Sequence, residues 1–484
     1  MPKLVCIVGA LFGLLAVPAT AQAQAPALAG RGLPISSRDR IYTGDQTSNT
    51  VSVIDPNNNT VLGTISFGAA RLSNNLNPQN IQSVNSHGLG FSRDGKYIVS
   101  LSTLSNTVNV IKTADNSIVT TAYVDRGPHE AFFAPDNRTI WIGTRGVSSI
   151  QILDGMNGTA LSRIMTGKGP SKVLFSPDGT TAYVNHIMEP LIAVIDVQSQ
   201  KVMYNITGLA NVFSSDMMLS ADGNRLWAAH KMSGQVSVID VTARKVVSVL
   251  ETGPETNHPN FAVVNGTTYG WVSVGSMNAT RVYYQPSPDS EPIHIKDVRQ
   301  SGIQPHGLWP SADNTRMYVV NEHSDTVDVI DTSSMEVVDT FSVGQEGQAL
   351  IYVSNAIPSD DAASQEASRE RLGKQGLGMR VESLLLPVEG NNTKAIANAQ
   401  VTIRQTSGLD MFQVIGRNLL LNGTYTVSAK CKACDQKSPR TPLVSFNASM
   451  PTASGCGSAP QVLAFFRFFD TYDLKTIVVR EGME

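Results

Sequence analysis

The feature that most constrains this chain is an internal repeat of a little over forty residues that runs from about residue 40 to residue 356. Six segments share one motif: a short apolar strand, a Pro/Ala-Asp-Gly/Asn turn, a second strand, then V-x-V-I-D and a fourth strand. The clearest are Gly169 to Gly208 and Ile303 to Gln345. The strands are short runs of β-branched residues, punctuated by turns such as Asp94-Gly95, Asp178-Gly179 and Asp222-Gly223. A four-stranded unit of this size cannot bury both of its faces alone. Stacking such units around an axis buries them, and closing the ring removes the open ends.

Aligned on the turn, the inner strands begin at His87, His129, Ser171, Ser215, His258, His306 and Gln348. Three strands at the start of the repeat region, Arg40 to Asp45, Thr50 to Asp55 and Thr60 to Phe67, lack an inner partner, and the last inner strand, Gln348 to Ser354, lacks outer ones. The economical inference is that the last strand completes the first blade. The fold expected is all-β, a seven-bladed β-propeller with three-plus-one closure over residues 40–356. These segments resemble the YVTN β-propeller family, whose blades carry an inner strand, a YVTN strand, a TVSVID strand and an outer strand. That resemblance implies a fold and no particular activity.

Two stretches depart from the repeat. Ala69 to Ser83 is an Asn-rich insertion between blades 1 and 2, and blade 6 (Pro254 to Gly302) loses V-I-D and gains a Pro-rich loop, Gln285 to Pro292. Residues 357–376 read as a polar linker. Residues 377–484 alternate again (VTIRQT, TYTVSAK, LAFFRFF, KTIVV) and are expected to form a small β-sandwich-like domain serving as an accessory binding or anchoring module.

The N-terminus carries Lys3, an apolar run from Leu4 to Val17 and overlapping A-x-A sites at Ala19, Ala21 and Ala23. This reads as a signal peptide over residues 1–25, too short to span a bilayer, so the mature chain is expected to be secreted or periplasmic with no membrane span. Of the cysteines outside the leader, Cys456 is expected to pair with either Cys431 or Cys434. Nine N-x-S/T sequons, at Asn58, Asn137, Asn157, Asn205, Asn265, Asn278, Asn391, Asn422 and Asn447, are glycosylation candidates if the source is eukaryotic. A net charge of -3 with 16% charged residues argues against a nucleic-acid partner.

The informative chemistry is the placement of histidine. The inner-strand column holds His87, His129, His258 and His306. The end of the second strand, counted back from V-x-V-I-D, reads Asp45, Ser102, Thr144, His186, His230, Gly275 and Asn321. Six of the eight histidines fall in these two columns, far more than chance would place there, and His323 sits two residues beyond the second. One reading is that duplication copied a Pro-His entry that hydrogen-bonds to the next blade. The other is a shared pocket at one mouth of the channel.

Converging neutral imidazoles suit a transition metal such as Cu, Zn or Mn, with His87, His129, His258 and His306 as ligands. Nitrous oxide reductase is similar in gathering histidines around a propeller axis, but this C-terminal region lacks the Cys and His ligands of that enzyme's second copper domain. Arg145, Lys172 and Lys231 near the same mouth could hold a carboxylate, as in propeller polysaccharide lyases. No nucleophile elbow, phosphate-binding glycine loop or H-E-x-x-H helix is present. The expectation is a binding platform whose histidine-lined axial pocket takes a metal, a small polar molecule, a glycan or a protein. The alternative is a propeller enzyme using the same mouth, lyase-like or a metal-dependent oxidoreductase.

Overall fold

A computed structural model describes residues 32–68, 83–286, 290–390, 396–435, 437–452 and 455–482. The leader, nearly all of the Asn-rich insertion and Asn391 lie outside the described residues.

Seven four-stranded antiparallel sheets form the ring. Blade 1 is assembled from both ends of the repeat region: Gly347–Val353 pairs with Arg40–Asp45, with Tyr42 opposite Ile351, followed outward by Thr50–Asp55 and Thr60–Ser66. The three-plus-one closure is therefore as expected. The inner strands are buried on both faces because each blade is covered by its neighbours, whereas outer strands such as Lys201–Thr207 alternate exposed and covered positions. Glycines set the tightest approach: a Cβ on Gly88 or Gly90 would stand 1.8 or 1.9 Å from the carbonyl oxygen of His129 or Ala131 in the next blade. At the far end of the channel Phe91, Phe132 and Trp309 meet with ring centroids 5.7 to 6.3 Å apart and plug it.

The C-terminal region is one eight-stranded sheet that curls around its own core of Val401, Phe412, Tyr425, Val427 and Phe468. Its strand Val381–Glu389 is shared, pairing with Asn398–Gln405 on one side and Val478–Glu481 on the other. Residues 357–376 are packed against the propeller: Arg40 donates to Ser368 Oγ at 2.8 Å, Asn116 to the Ser368 carbonyl at 2.7 Å, and Thr64 bridges Gly373. No helix among the described residues is long and apolar enough to cross a membrane.

The disulfide differs from expectation. It joins Cys431 to Cys434, with Cα atoms 5.3 Å apart, and Cys456 is buried outside it. The reason is the sheet. Cys456 precedes Gly457, which pairs with Leu419 before the start of Thr424–Ala429, while Cys431 follows the other end of that strand and bridges Tyr472. The length of the strand keeps Cys456 away from both partners proposed for it. Of the sequon asparagines, Asn58, Asn157, Asn205, Asn265, Asn422 and Asn447 are exposed, and Asn137 and Asn278 are half-buried.

Candidate functional site at the channel axis

Strand pairing fixes which side chains form tiers around the axis. Each inner strand enters through a bulge: Pro128 pairs with Thr144 and Ala131 with Ile142, and Pro170 pairs with His186 and Val173 with Val184. In blade 6 the equivalent pairs are Thr256 with Val274 and Pro259 with Val272. The second-strand column in blade 6 therefore ends at Val274, not Gly275, and His258 sits one residue deeper than the alignment on turns placed it. The first tier reads His87, His129, Ser171, Ser215, Asn257, His306 and Gln348. The second tier reads Gly88, Glu130, Lys172, Asp216, His258, Gly307 and Ala349.

The four inner-strand histidines do gather at one mouth, in two pairs. The ring centroids of His87 and His129 are 4.7 Å apart, and those of His258 and His306 are 4.8 Å apart. In each ring Nδ1 is engaged: His306 with the Gln348 carbonyl at 2.9 Å, His258 with Asp216 at 3.2 Å, and His87 with Gln46 Oε1 at 3.0 Å. His129 Nδ1 meets Ser171 Oγ at 3.2 Å, a hydroxyl that accepts two hydrogen bonds from Arg145 and whose one hydrogen lies within reach of both the Ser215 carbonyl and this ring. The oxygen partners of the other three assign the Nδ1–H tautomer to His87, His258 and His306. Nε2 keeps its lone pair in those three and has no hydrogen-bond partner among the described residues. Burial pushes all four imidazoles down, His258 to about 3, and Arg145 beside His87 and His129 pushes the same way.

The second tier supplies two residues that the sequence reading missed, Glu130 and Asp216, against Lys172 and His258, which it had singled out. Lys172 Nζ lies 2.9 Å from Glu130 and 2.9 Å from Asp216, all three buried, and Asp216 also holds His258. Burial raises Glu130 to about 7, with Lys172 opposing and Asp216 adding to the rise. Burial also raises Asp216, against the pull of Lys172. With Glu130 protonated the cluster carries one carboxylate and one ammonium and is neutral, the form a low-dielectric site favours. Glu130, Asp216 and His258 are the one set of three among the described residues whose ligand atoms come within 4.8 Å of one another. The ammonium of Lys172 already occupies the cation position between the two carboxylates. A cavity of about 10 Å³, room for one water, lies against Glu130, Lys172 and His258 on one side and Leu89, Leu308 and Leu350 on the other.

The other singled-out residues divide. Arg145 donates to Ser171 Oγ and to the Ser215 carbonyl at the histidine mouth, with no carboxylate in contact. Three of the singled-out histidines lie away from these four. His186 spans the Leu191 carbonyl and Thr166 Oγ1, and His230 spans the Phe213 carbonyl and Ser237 Oγ, so both rings turn back between strands with both nitrogens engaged. His323 is fully buried under the C-terminal sheet, where Thr402 Oγ1 meets its Nδ1 at 2.8 Å.

That sheet covers the blade 6, 7 and 1 side of the same mouth. Arg404 reaches Asp325 at 3.0 Å and the Glu322 carbonyl, and Arg417 is bidentate to Glu255 at 2.6 and 2.8 Å. Gln345 donates to the Gln405 carbonyl. Ring and cap together form a seven-bladed propeller with one aromatic-plugged end and one capped, histidine-lined end.

No protein-family model matches the sequence, and no curated protein does. Among solved structures, the periplasmic gluconolactonase PpgL of Pseudomonas aeruginosa superposes with a TM-score of 0.52 at 14% identity, over 65% of this chain and 99% of that one. A functionally unknown protein from Desulfotomaculum acetoxidans DSM 771 gives 0.53 at 11% identity over the same shares. Kuenenia stuttgartiensis hydrazine synthase gives 0.47 at 16% identity, over 55% of this chain and 88% of that chain. For the first two, at such identities, the likeness is one of fold alone.

Proposed function

We propose that this propeller is an extracytoplasmic binding platform whose histidine-lined axial pocket holds a metal ion or a small polar ligand. The observation that carries the reading is the common state of His87, His258 and His306, with His129 packed against His87. Each of the three has Nδ1–H anchored on an oxygen and Nε2 left with a free lone pair. That is how a protein orients imidazoles meant to donate to something else, since the anchored N–H fixes both ring angle and tautomer. The four-ring ligand set expected from the sequence does not form: no three of these imidazoles bring ligand atoms within 4.8 Å of one another, so a metal would be held by the rings of one pair and by groups from outside the chain, and imidazoles there favour Cu or Zn over Mn. For an organic ligand, the same nitrogens accept from hydroxyl groups while Arg145 and Lys231 offer positive charge. The leader sequence and the Cys431–Cys434 disulfide support a location outside the cytoplasm.

Elemental analysis of the purified protein, followed by calorimetric titration with Cu, Zn and Mn, tests the reading. Binding near one ion per chain, lost in a His129→Ala/His306→Ala variant that still folds, is the expected result. Absence of any bound metal, together with no thermal shift from metals or small polyols, would sink it. A second reading, a propeller enzyme, is favoured by one observation: Glu130, at about 7, is poised to exchange a proton near neutral pH beside that pocket.

A further inference from the structure

The irregularity of blade 6 has a counterpart on the face of the ring opposite the histidines. In the other blades the second and third strands exchange an aliphatic pair at one register, such as Ile41 with Ile54, Leu226 with Ile239, or Met317 with Ile330. In blade 6 that pair is Gly270 with Tyr283. A Cβ on Gly270 would stand 2.2 Å from the indole of Trp227 in blade 5, so the glycine makes room for the large ring. The first hairpin of blade 6 is also extended. Thr256–Val264 and Thr267–Val274 are joined by the two-residue turn Asn265-Gly266, with φ of 50° and 79°. This hairpin forms one wall of a cleft of about 280 Å³, and the blade 5 turn from Ser220 to Arg225 forms the other.

Trp227 and Tyr283 line this cleft with ring centroids 5.8 Å apart in a T-shaped contact, and they are only 2% and 3% exposed. Trp227 Nε1 and Tyr283 Oη are buried with no hydrogen-bond partner among the described residues. Burial pushes the Tyr283 phenol up to about 12, so it keeps its proton and can donate. Two buried donors left unsatisfied in one cleft are costly unless something else meets them. The rim adds the hydroxyls of Thr267 and Thr268. Of its charges, Arg225 pairs with Asp240 at 2.9 Å, while Asp222 is exposed and accepts only from the neutral Ser220 and Asn224.

We propose that the cleft between blades 5 and 6 is a second binding site, and that its ligand is a neutral sugar residue. The ligand must not be anionic, because the exposed Asp222 carboxylate stands on the rim, and that carboxylate accepts hydrogen bonds from hydroxyl groups. It must supply acceptors to Trp227 Nε1 and Tyr283 Oη, which a small side-chain shift uncovers, and exchange hydrogen bonds at the rim, which hydroxyl groups do. The volume falls at the lower end of the range for small-molecule pockets, enough for one or two sugar rings.

The full-length protein, produced without N-glycans because Asn265 stands at the tip of one wall, is titrated with glucose, galactose, mannose, N-acetylglucosamine and their disaccharides. Saturation-transfer NMR reads binding. At least one of these sugars binds saturably, Tyr283→Phe weakens it about five- to tenfold by removing one neutral hydrogen bond, and Thr268→Arg abolishes it by filling the exposed rim. Tyr283→Phe keeps the ring packing and Thr268 is exposed, so unchanged melting curves will certify both variants as folded. The assignment is overturned if none of the sugars binds, or if binding survives both substitutions.

Discussion

Replacing Glu130 with Gln should flatten the pH dependence of stability between about pH 4.5 and 7. Glu130 is fully buried, and its folded carboxyl is raised from 4.5 to about 7 by burial and by Asp216, against the pull of Lys172. Between those values the folded chain holds a proton that the unfolded chain has already released. Unfolding therefore releases a proton, and stability falls as pH rises through the window. The stabilisation is fully present below the unfolded value and gone above the folded one. A difference of two to three pH units corresponds to roughly 3 kcal/mol. Gln cannot ionise, yet its amide N–H can donate to Asp216 as the protonated carboxyl does, so the variant should match the parent near pH 4.5 and exceed it at pH 8. Urea unfolding at half-unit steps from pH 4 to 8.5 measures this, and taking parent minus variant cancels the titration of groups not coupled to the cluster. A variant that keeps the parent's full slope, or that is weakened equally at every pH, would refute the idea that Glu130 carries the cluster's proton.

Truncation at Gln345 removes Gly347–Val353 and with it the inner strand of blade 1. Such a chain should lose cooperative melting, while one ending at Pro358 keeps the ring; equal melting of the two would overturn the closure. Arg404→Met strips the cation from buried Asp325 and the donor from Gln413, a loss of about 3–5 kcal/mol for a broken buried pair. It should leave residues 357–376 open to limited proteolysis, and unaltered cleavage would show that Arg404 does not hold the cap. The isolated 377–484 segment, which has its own core, should give dispersed amide resonances; an unfolded spectrum would mean that it needs the ring.

The ring was legible because its signals are local and copied. Each blade announces itself through an Asp-Gly turn and a V-I-D strand, and the unmatched strands at the two ends could only complete each other. The docking of the C-terminal sheet was not legible, because Thr402, Arg404, Gln413 and Arg417 read as the ordinary polar positions of alternating strands. What separates them from a solvated face is burial under a partner 60 to 160 residues away in sequence, as with Gln345 to Gln405 and Glu255 to Arg417, and periodicity carries no trace of that. The disulfide failed for the same reason: three cysteines allow three pairings, two of them through Cys456, and only the run of Thr424–Ala429 decides between them.

The axial site was half legible, and the half that was missed turns on one residue of register. Aligning blades on their turns works while every inner hairpin has the same length. Blade 6 replaces the Asp-Gly turn by Asn265-Gly266 on longer strands, and so the turn is a false anchor there. The slip put His258 in the tier of His129 and hid that it stands level with Glu130, Lys172 and Asp216 on four consecutive blades. Yet the sequence did carry a signal. Glu130, Lys172 and Asp216 are charged residues inside strands reading PHEAFF, PSKVLF and DMML, where a charge has no place unless another charge meets it. The opposite side of the same tier, Gly88, Gly307 and Ala349, is bare, so the ionisable side chains of blades 3 to 6 face small residues across the axis. Duplication alone would have copied one residue around the tier. A tier divided between charge and emptiness marks departures from the copied pattern, and a departure that costs burial energy is where a repeat protein's chemistry is to be sought.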